Sequence, residues 1–347
     1  MASTIRAYRQ LIRMGNFYIV RQFEGFFKGN IIRVFTKEGL FDFLDEPKTL
    51  NEVSEHFGYT NQLFLKKLFD FLAEDTIIRL YEEKYQTVRP IKDVWVRPEV
   101  FNDSAIEIWE EYAHSIPSKL KGMSKEFISG INLFRWDDML NSEVFGGIRR
   151  LAFVFANPFK RSGKILDFRC GNGFTTTGIW NDYYQRNYFS PKSDVKIEIV
   201  GVDSATDLLK IAQEEFQLMA ANISGDPVEK IRELESYFPK FVEGELTALP
   251  FEDNTFDMVF SSQTLQWTDP KKALREMVRV TKPGGMIFGV QSLLPNQKYW
   301  FLHIEVIEGA HGSFTKEELV QWIKEAGGTN IKFSTPVTVF KFDKRTK

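Results

Sequence analysis

The sequence predicts an α/β protein: a mostly parallel sheet with crossover helices in its C-terminal half, preceded by a mainly helical region. Three observations lead there. Helical periodicity dominates before residue 160, and short β-rich runs alternating with helical stretches follow it. Two of those runs, Lys164 to Asp167 and Ile197 to Asp203, end in a carboxylate. Between them stands a glycine turn that opens a helix, Arg169-Cys170-Gly171-Asn172-Gly173. At 347 residues the chain is long for one core, and two domains with a connector are expected: 1–100, 101–160 and 161–347.

The elements read in order as follows. Thr49 caps a short helix, Leu50 to Phe57, and Gly58-Tyr59-Thr60 turns the chain. A second helix runs from Asn61 to Glu74, with Phe64, Leu68, Phe71 and Leu72 on one side and Leu63, Lys66, Lys67 and Asp70 elsewhere. Ile77 to Leu80 and Tyr85 to Val88 make a hairpin around Glu82-Glu83-Lys84, completing a winged helix. Asp70, Glu74, Asp75, Glu82 and Glu83 oppose DNA docking of this unit. From Asp103 to Phe159 the chain is helical, with Ser104 as a cap, breaks at Pro117 and near Gly130, and apolar faces at Phe145, Leu151, Phe153, Val154 and Phe155. This stretch is a connector between domains or a lid. Strands at Lys164 to Phe168, Ile197 to Asp203, Met258 to Ser261 and Met286 to Val290 build the sheet. A helix from Phe314 to Ala326 and strands at Ile331 to Phe333 and Val337 to Phe342 close it.

Composition narrows the function classes. A net charge of -2 supplies no general attraction to nucleic acid or an anionic membrane. One cysteine, Cys170, excludes an intrachain disulfide and a multi-cysteine metal site. His56, His114, His303 and His311 lack metal-ligand spacing, so no metal is expected. Arg6, Arg9 and Arg13 interrupt the N-terminus, so no signal peptide is read, and no apolar run nears the ~20 residues of a bilayer span. A cytoplasmic protein is expected. The 33 phenylalanines fit well-filled cores or an apolar substrate chamber. A dinucleotide fingerprint fits poorly, because its third glycine is missing: Phe174, Thr175 and Thr176 follow Gly173.

Two later stretches carry a family resemblance. Leu249-Pro250-Phe251-Glu252-Asp253-Asn254-Thr255-Phe256-Asp257 and Lys282-Pro283-Gly284-Gly285, in order after the glycine turn, resemble class I S-adenosylmethionine-dependent methyltransferases of the quinone and sterol small-molecule group. The motifs cover about residues 161 to 290. Residues 20 to 100 resemble the winged-helix dimerisation domain of small-molecule O-methyltransferases. The resemblance implies a Rossmann-like seven-stranded methyltransferase sheet, a homodimer, S-adenosyl-L-methionine as cofactor and a small apolar or aromatic acceptor. It implies that the turn Asp167 to Gly173, with Gly171, faces the methionine part. It further implies that Asp203 holds the ribose hydroxyls beside Ser204 and Leu208. Glu245 then meets the adenine amino group, Leu246 the ring, and Ser261 to Gln263 flank the sulfonium and the substrate. Gln291 to Ser313 lies where the family builds part of its substrate pocket.

One departure stands out: Arg169 occupies a position that the family gives to glycine. It either points away or pairs with the methionine carboxylate, or else it marks weakened cofactor binding. Methyl transfer needs a base only where the nucleophile must shed a proton, and His303, His311 and Tyr299 are the candidates. The competing readings are a nucleic-acid or protein methyltransferase and a degenerate methyltransferase fold acting as a binding partner.

Overall fold

The computed structural model describes residues 21–126, 132–189, 192–334 and 339–346. The readings of Arg6, Arg9, Arg13, Gly130 and Val337 lie outside the described residues, as does the side chain of Phe145. The chain forms two compact units, one of Met1–Asn132 with Pro295–Ser313, the other of Leu133–Leu294 with Phe314–Lys347.

In the first unit, residues 21–37 are helical and bury Phe26, Phe27, Ile31 and Phe35. Thr49 caps the helix Leu50–Phe57 through a reciprocal box with Glu52, and Gly58, at φ 68°, ends it. The helix Gln62–Glu74 starts from Asn61, whose side chain accepts from the Phe64 amide at 3.2 Å. Phe64, Leu68, Phe71 and Leu72 are buried as their spacing requires, while Leu63 is 85% exposed. β1 (Ile78–Tyr81) and β2 (Lys84–Thr87) pair antiparallel, joined by Glu82 and Glu83, both at positive φ as a primed turn demands. The helix Asp103–His114 is capped by Asn102 rather than Ser104: the Asn102 side chain accepts from the Ala105 amide at 3.0 Å. Pro117 does not simply break the chain. It sits in the first turn of a new helix, Ile116–Leu120, where its missing N–H costs nothing.

The segment Pro295–Ser313 belongs to this unit and not to the sheet, although its sequence position suggested the latter. Its helix Lys298–Ile304 buries Phe301, Leu302 and Ile304, and Lys298 pairs with Asp75 at 2.6 Å. Lys67 pairs with Glu305 at 2.7 Å, and the Lys125 amide donates to the Val306 carbonyl at 2.8 Å. These partners lie on the N-terminal helices or just beyond them, so the segment completes their core.

The second unit holds a seven-stranded sheet of β3 (Gly163–Phe168), β4 (Ile197–Asp203), β5 (Lys240–Glu243), β6 (Phe256–Ser262), β7 (Thr281–Val290), β8 (Gly328–Ser334) and β9 (Val339–Lys344). Its order is β5-β4-β3-β6-β7-β9-β8, parallel except around β9. Strand residues alternate between two cores, as a doubly covered sheet requires. Leu166, Phe168, Val200, Val202, Val259 and Ile287 face one side, with the helices Pro270–Val280 and Lys316–Glu325. Ile165, Ile199, Met258, Phe260 and Phe288 face the other, with Glu143–Ala156, Phe174–Tyr184 and Thr206–Ser224. Phe153 anchors the first of these, its ring 5.0 Å from that of Phe288. Lys282 to Gly285 form a register shift inside β7 rather than a turn before it, with Gly284 at φ 74°. No helix among the described residues is long and apolar enough to cross a membrane.

Candidate functional site

From β3 the chain runs outward through β4 and β5, then returns to β6 on the other side of β3. That reversal opens a crevice outside the carboxyl ends of β3 and β6, the place where such sheets bind ligands. Most buried polar side chains of this unit gather at the carboxyl edge: Asp167, Asn172, Thr176, Asp203, Ser261, Thr264, Gln266 and Gln291. Burial of that many polar groups costs free energy unless they are paired, and Asp167, Asn172, Thr176, Asp203, Thr264, Gln266 and Gln291 all have hydrogen-bond partners.

Asp203 is the hinge of the arrangement. Its Oδ2 accepts from the Gly171 amide at 2.8 Å and its Oδ1 from the Ala205 amide at 2.9 Å. The carboxylate at the end of β4 is thereby tied to the glycine corner after β3. A carboxylate offers about four acceptor positions, so two stay open for a vicinal diol. Gly171, at φ 56°, supplies the bend that turns its N–H toward Asp203. Gly173, at φ 80°, serves packing instead. A Cβ there would lie 2.7 Å from Ala212 Cβ, so its absence lets the helix Phe174–Tyr184 pack against Thr206–Ser224.

Asp167 is wholly buried and accepts from the Thr176 hydroxyl at 2.5 Å. Burial pushes its carboxyl up to about 7; Thr176 works against this, Asp203 adds to it, and Arg149 opposes it. Arg149 itself is buried and paired with Asp182 beneath Gly178, where any Cβ would strike the guanidinium at 2.5 Å.

Arg169 holds a left-handed backbone, φ 73°, which costs a non-glycine residue roughly 1–2 kcal/mol. Its guanidinium lies over the Trp267 ring, 4.8 Å from the centroid. Trp267 follows β6 while Asp203 ends β4, on opposite flanks of β3. The long side chain therefore extends away from Asp203.

The remaining expected residues fall in two places. Leu208 and Leu246 are buried near the ends of β4 and β5, Leu246 as part of a sheet core, and Ser261 is buried at the end of β6. Ser204 and Glu245 are exposed. Tyr299, His303 and His311 lie in the other unit. The Tyr299 hydroxyl donates to the Phe71 carbonyl and Asp75, each at 3.0 Å, and burial beside Asp75 pushes its pKa far up, so it serves as a structural tyrosine. His303 is fully buried, with Nδ1 2.7 Å from the Tyr299 carbonyl and its ring edge-on to Phe27; burial lowers its pKa to about 4. His311 is exposed.

The sequence pointed to the segments that hold Asn172, Gln263, Gln291 and Ser292 but not to their partners, and it missed Asp137, Asn141 and Gln266. Asn172 donates to the Asp137 side chain at 2.7 Å and to that of Asn141 at 2.9 Å, tying the end of the helix Asn132–Leu140 to the corner. Past β6, Gln263, Gln266, Gln291 and Ser292 form an amide network: the Ser292 amide donates to Gln263 Oε1 at 2.8 Å, and Gln291 Nε2 donates to Gln266 Oε1 at 2.5 Å. The available signal was a run of polar residues directly after two buried strands.

Comparisons with known proteins point to methyltransferases. Residues 166–289 match a family model described as a methyltransferase domain. An uncharacterized methyltransferase of Schizosaccharomyces pombe is 34% identical over 129 residues, 37% of this chain and 39% of its own. The ubiquinone/menaquinone biosynthesis C-methyltransferase UbiE of Idiomarina loihiensis is 28% identical over 179 residues, 49% of this chain and 62% of its own. Each match thus spans less than two thirds of the relative's length. Among solved structures, the CurJ carbon methyltransferase superposes with a TM-score of 0.68 at 15% identity, covering 99% of this chain and 98% of that one, a likeness of fold. Residues 166–289 thus match a methyltransferase-domain model, and the seven-stranded sheet that contains them has the fold of a class I methyltransferase.

Proposed function

We propose that this chain is an S-adenosylmethionine-dependent methyltransferase acting on carbon of a small apolar or aromatic acceptor. The observation that carries the reading is the bond from the Gly171 amide to Asp203, which joins the glycine corner and the carboxylate into one cradle at the switch point. Its chemistry fits a nucleoside: a carboxylate with spare acceptor positions for two ribose hydroxyls, flanked by buried Leu208 and Leu246. When bound, the cofactor supplies a methyl group activated by its sulfonium. The chain's own part is to orient and to exclude water. Asp203 fixes the ribose end, Ser261 to Gln263 line the far side of the crevice, and the amide network holds that edge rigid. Tyr299 and His303 are assigned no role as base, because the first is structural and the second is neutral and buried. Transfer to carbon is supported by the activity for which the Idiomarina loihiensis relative is named.

Titrating S-adenosylhomocysteine by calorimetry tests the reading. Wild type should bind one equivalent, and Asp203→Ala should bind about 10- to 100-fold more weakly, the worth of charge-assisted hydrogen bonds. Absence of heat from wild type at millimolar ligand would refute it.

We further infer a cytoplasmic homodimer assembled through the N-terminal unit. Exposed Leu63, Leu80 and Tyr81 support such an apolar contact, and the acidic hairpin tip argues against DNA. Light scattering of the full chain, then of Leu63→Glu, tests this: the variant should be monomeric.

A further inference from the structure

We infer that Arg169, held against the ring of Trp267, is the group that recognises the carboxylate at the amino-acid end of the cofactor, and that Trp136 positions it. The inference rests on the methyl-donor reading above and names what one residue of that site selects. Four observations meet here. A non-glycine residue keeps a left-handed backbone at the corner, at φ 73°, where glycine would be at ease, and such an outlier marks a side chain that is wanted. The side chain leaves the end of β3 and meets Trp267 in the segment after β6, the two strands that flank the switch point. Its central carbon lies 4.8 Å from the centroid of the Trp267 ring, a contact that restrains a planar fork of the form suited to a two-pronged carboxylate. Trp267 is in turn met edge-on by Trp136, with ring centroids 5.8 Å apart. Trp136 lies on the helix Asn132–Leu140, whose C-terminal end Asn172 ties to the glycine corner through Asp137 and Asn141.

The sulfonium of the same ligand is also a cation, which makes the placement decisive. The carboxylate stands a full amino-acid side chain away from the sulfur. Coulomb energy falls with distance, so a guanidinium in contact with the carboxylate gains more than the sulfonium takes back.

The test is equilibrium binding to the full chain of S-adenosylhomocysteine, of S-adenosylmethionine and of decarboxylated S-adenosylhomocysteine. Wild type should prefer the two carboxylate-bearing ligands by about tenfold or more. Arg169→Gly should weaken both by about 10- to 100-fold, leave the decarboxylated ligand within about twofold, and raise the melting temperature by a few degrees, because it relieves the backbone. Arg169→Gln should lose the same preference without that gain in stability. Trp136→Leu should lose part of it. Equal weakening of all three ligands in Arg169→Gly would overturn the inference, as would an unchanged preference. Tighter binding of S-adenosylmethionine alone would also overturn it, since the guanidinium would then face the sulfonium. Wild type that binds none of the three removes the methyl-donor reading itself; wild type that binds all three without preference removes only this inference.

Discussion

Asp203, Arg169 and Asp167 illustrate how single positions take their chemistry from their partners. The first two sit beside backbone bends that glycine favours, and only one of those bends is glycine. Asp203 works through Gly171, whose φ of 56° aims an N–H that most residues could aim only under strain. Arg169 accepts that strain and gains a placed cation. Asp167 is a buried acid whose carboxyl is raised to about 7 mainly by loss of water. Asp167→Asn keeps an acceptor for the Thr176 hydroxyl while removing the ionisation. At pH 8, where the wild-type carboxylate is charged and buried, the variant should be as stable as wild type or more so. At pH 5 that advantage should shrink or reverse. Urea unfolding at both values checks it.

At the scale of elements, close approach governs the glycine corner more than ligand contact does. Gly173→Ala would place a Cβ 2.7 Å from Ala212 Cβ in a left-handed backbone, and the two helices of that face would have to part. A loss of about 2–4 kcal/mol is expected, from overpacking and conformational strain together. It should appear as a lower urea midpoint even with no nucleoside present. The capping box of Thr315 and Glu318 starts the helix Lys316–Glu325, and Thr315→Ala should cost about 1 kcal/mol without changing nucleoside affinity. Comparing the two variants separates helix packing beside the site from helix formation at a distance from it.

On the scale of the molecule, the two compact units carry buried titratable groups of opposite sign. In the sheet unit, Asp167 has a folded pKa of about 7 against an ordinary value of 3.8. The folded unit therefore holds a proton that the unfolded chain releases, and this stabilisation is complete at low pH and lost as pH rises through that window. In the other unit, His303 has a folded pKa of about 4 against an ordinary value of 6.5. The unfolded chain takes up that proton first, so this unit loses stability as pH falls from 6.5 toward 4. By the usual conversion the contributions reach about 4 and about 3 kcal/mol. Hydrogen exchange between pH 7 and 5, corrected for intrinsic rates, should show protection rising in β3 and β6 and falling in the helix Lys298–Ile304. Asp167→Asn should flatten the first trend and His303→Leu the second. Parallel trends in both units would contradict the assignment.

Local chemistry was legible in the residues themselves. The strand Ile197–Asp203 and the helix Leu50–Phe57 have the bounds that their patterns implied, because period, cap and glycine stop all lie within a few residues of each other. The glycine corner and its two strand-end carboxylates were legible for the same reason. The cap of Asp103–His114 was misplaced by two residues because Asn102 and Ser104 are both good caps, and only the start of the helix distinguishes them. The sequence by itself determined the α/β class, the methyltransferase motifs and the carboxylates that end β3 and β4. Tertiary structure alone decided that Pro295–Ser313 joins the N-terminal unit, that the Tyr299 hydroxyl is occupied by Phe71 and Asp75, and that Arg169 lies on Trp267 away from Asp203. Each of these depends on partners far away along the chain, as the 228 positions between Tyr299 and Phe71 illustrate. A periodic pattern names the face a residue presents, and only packing names what meets it.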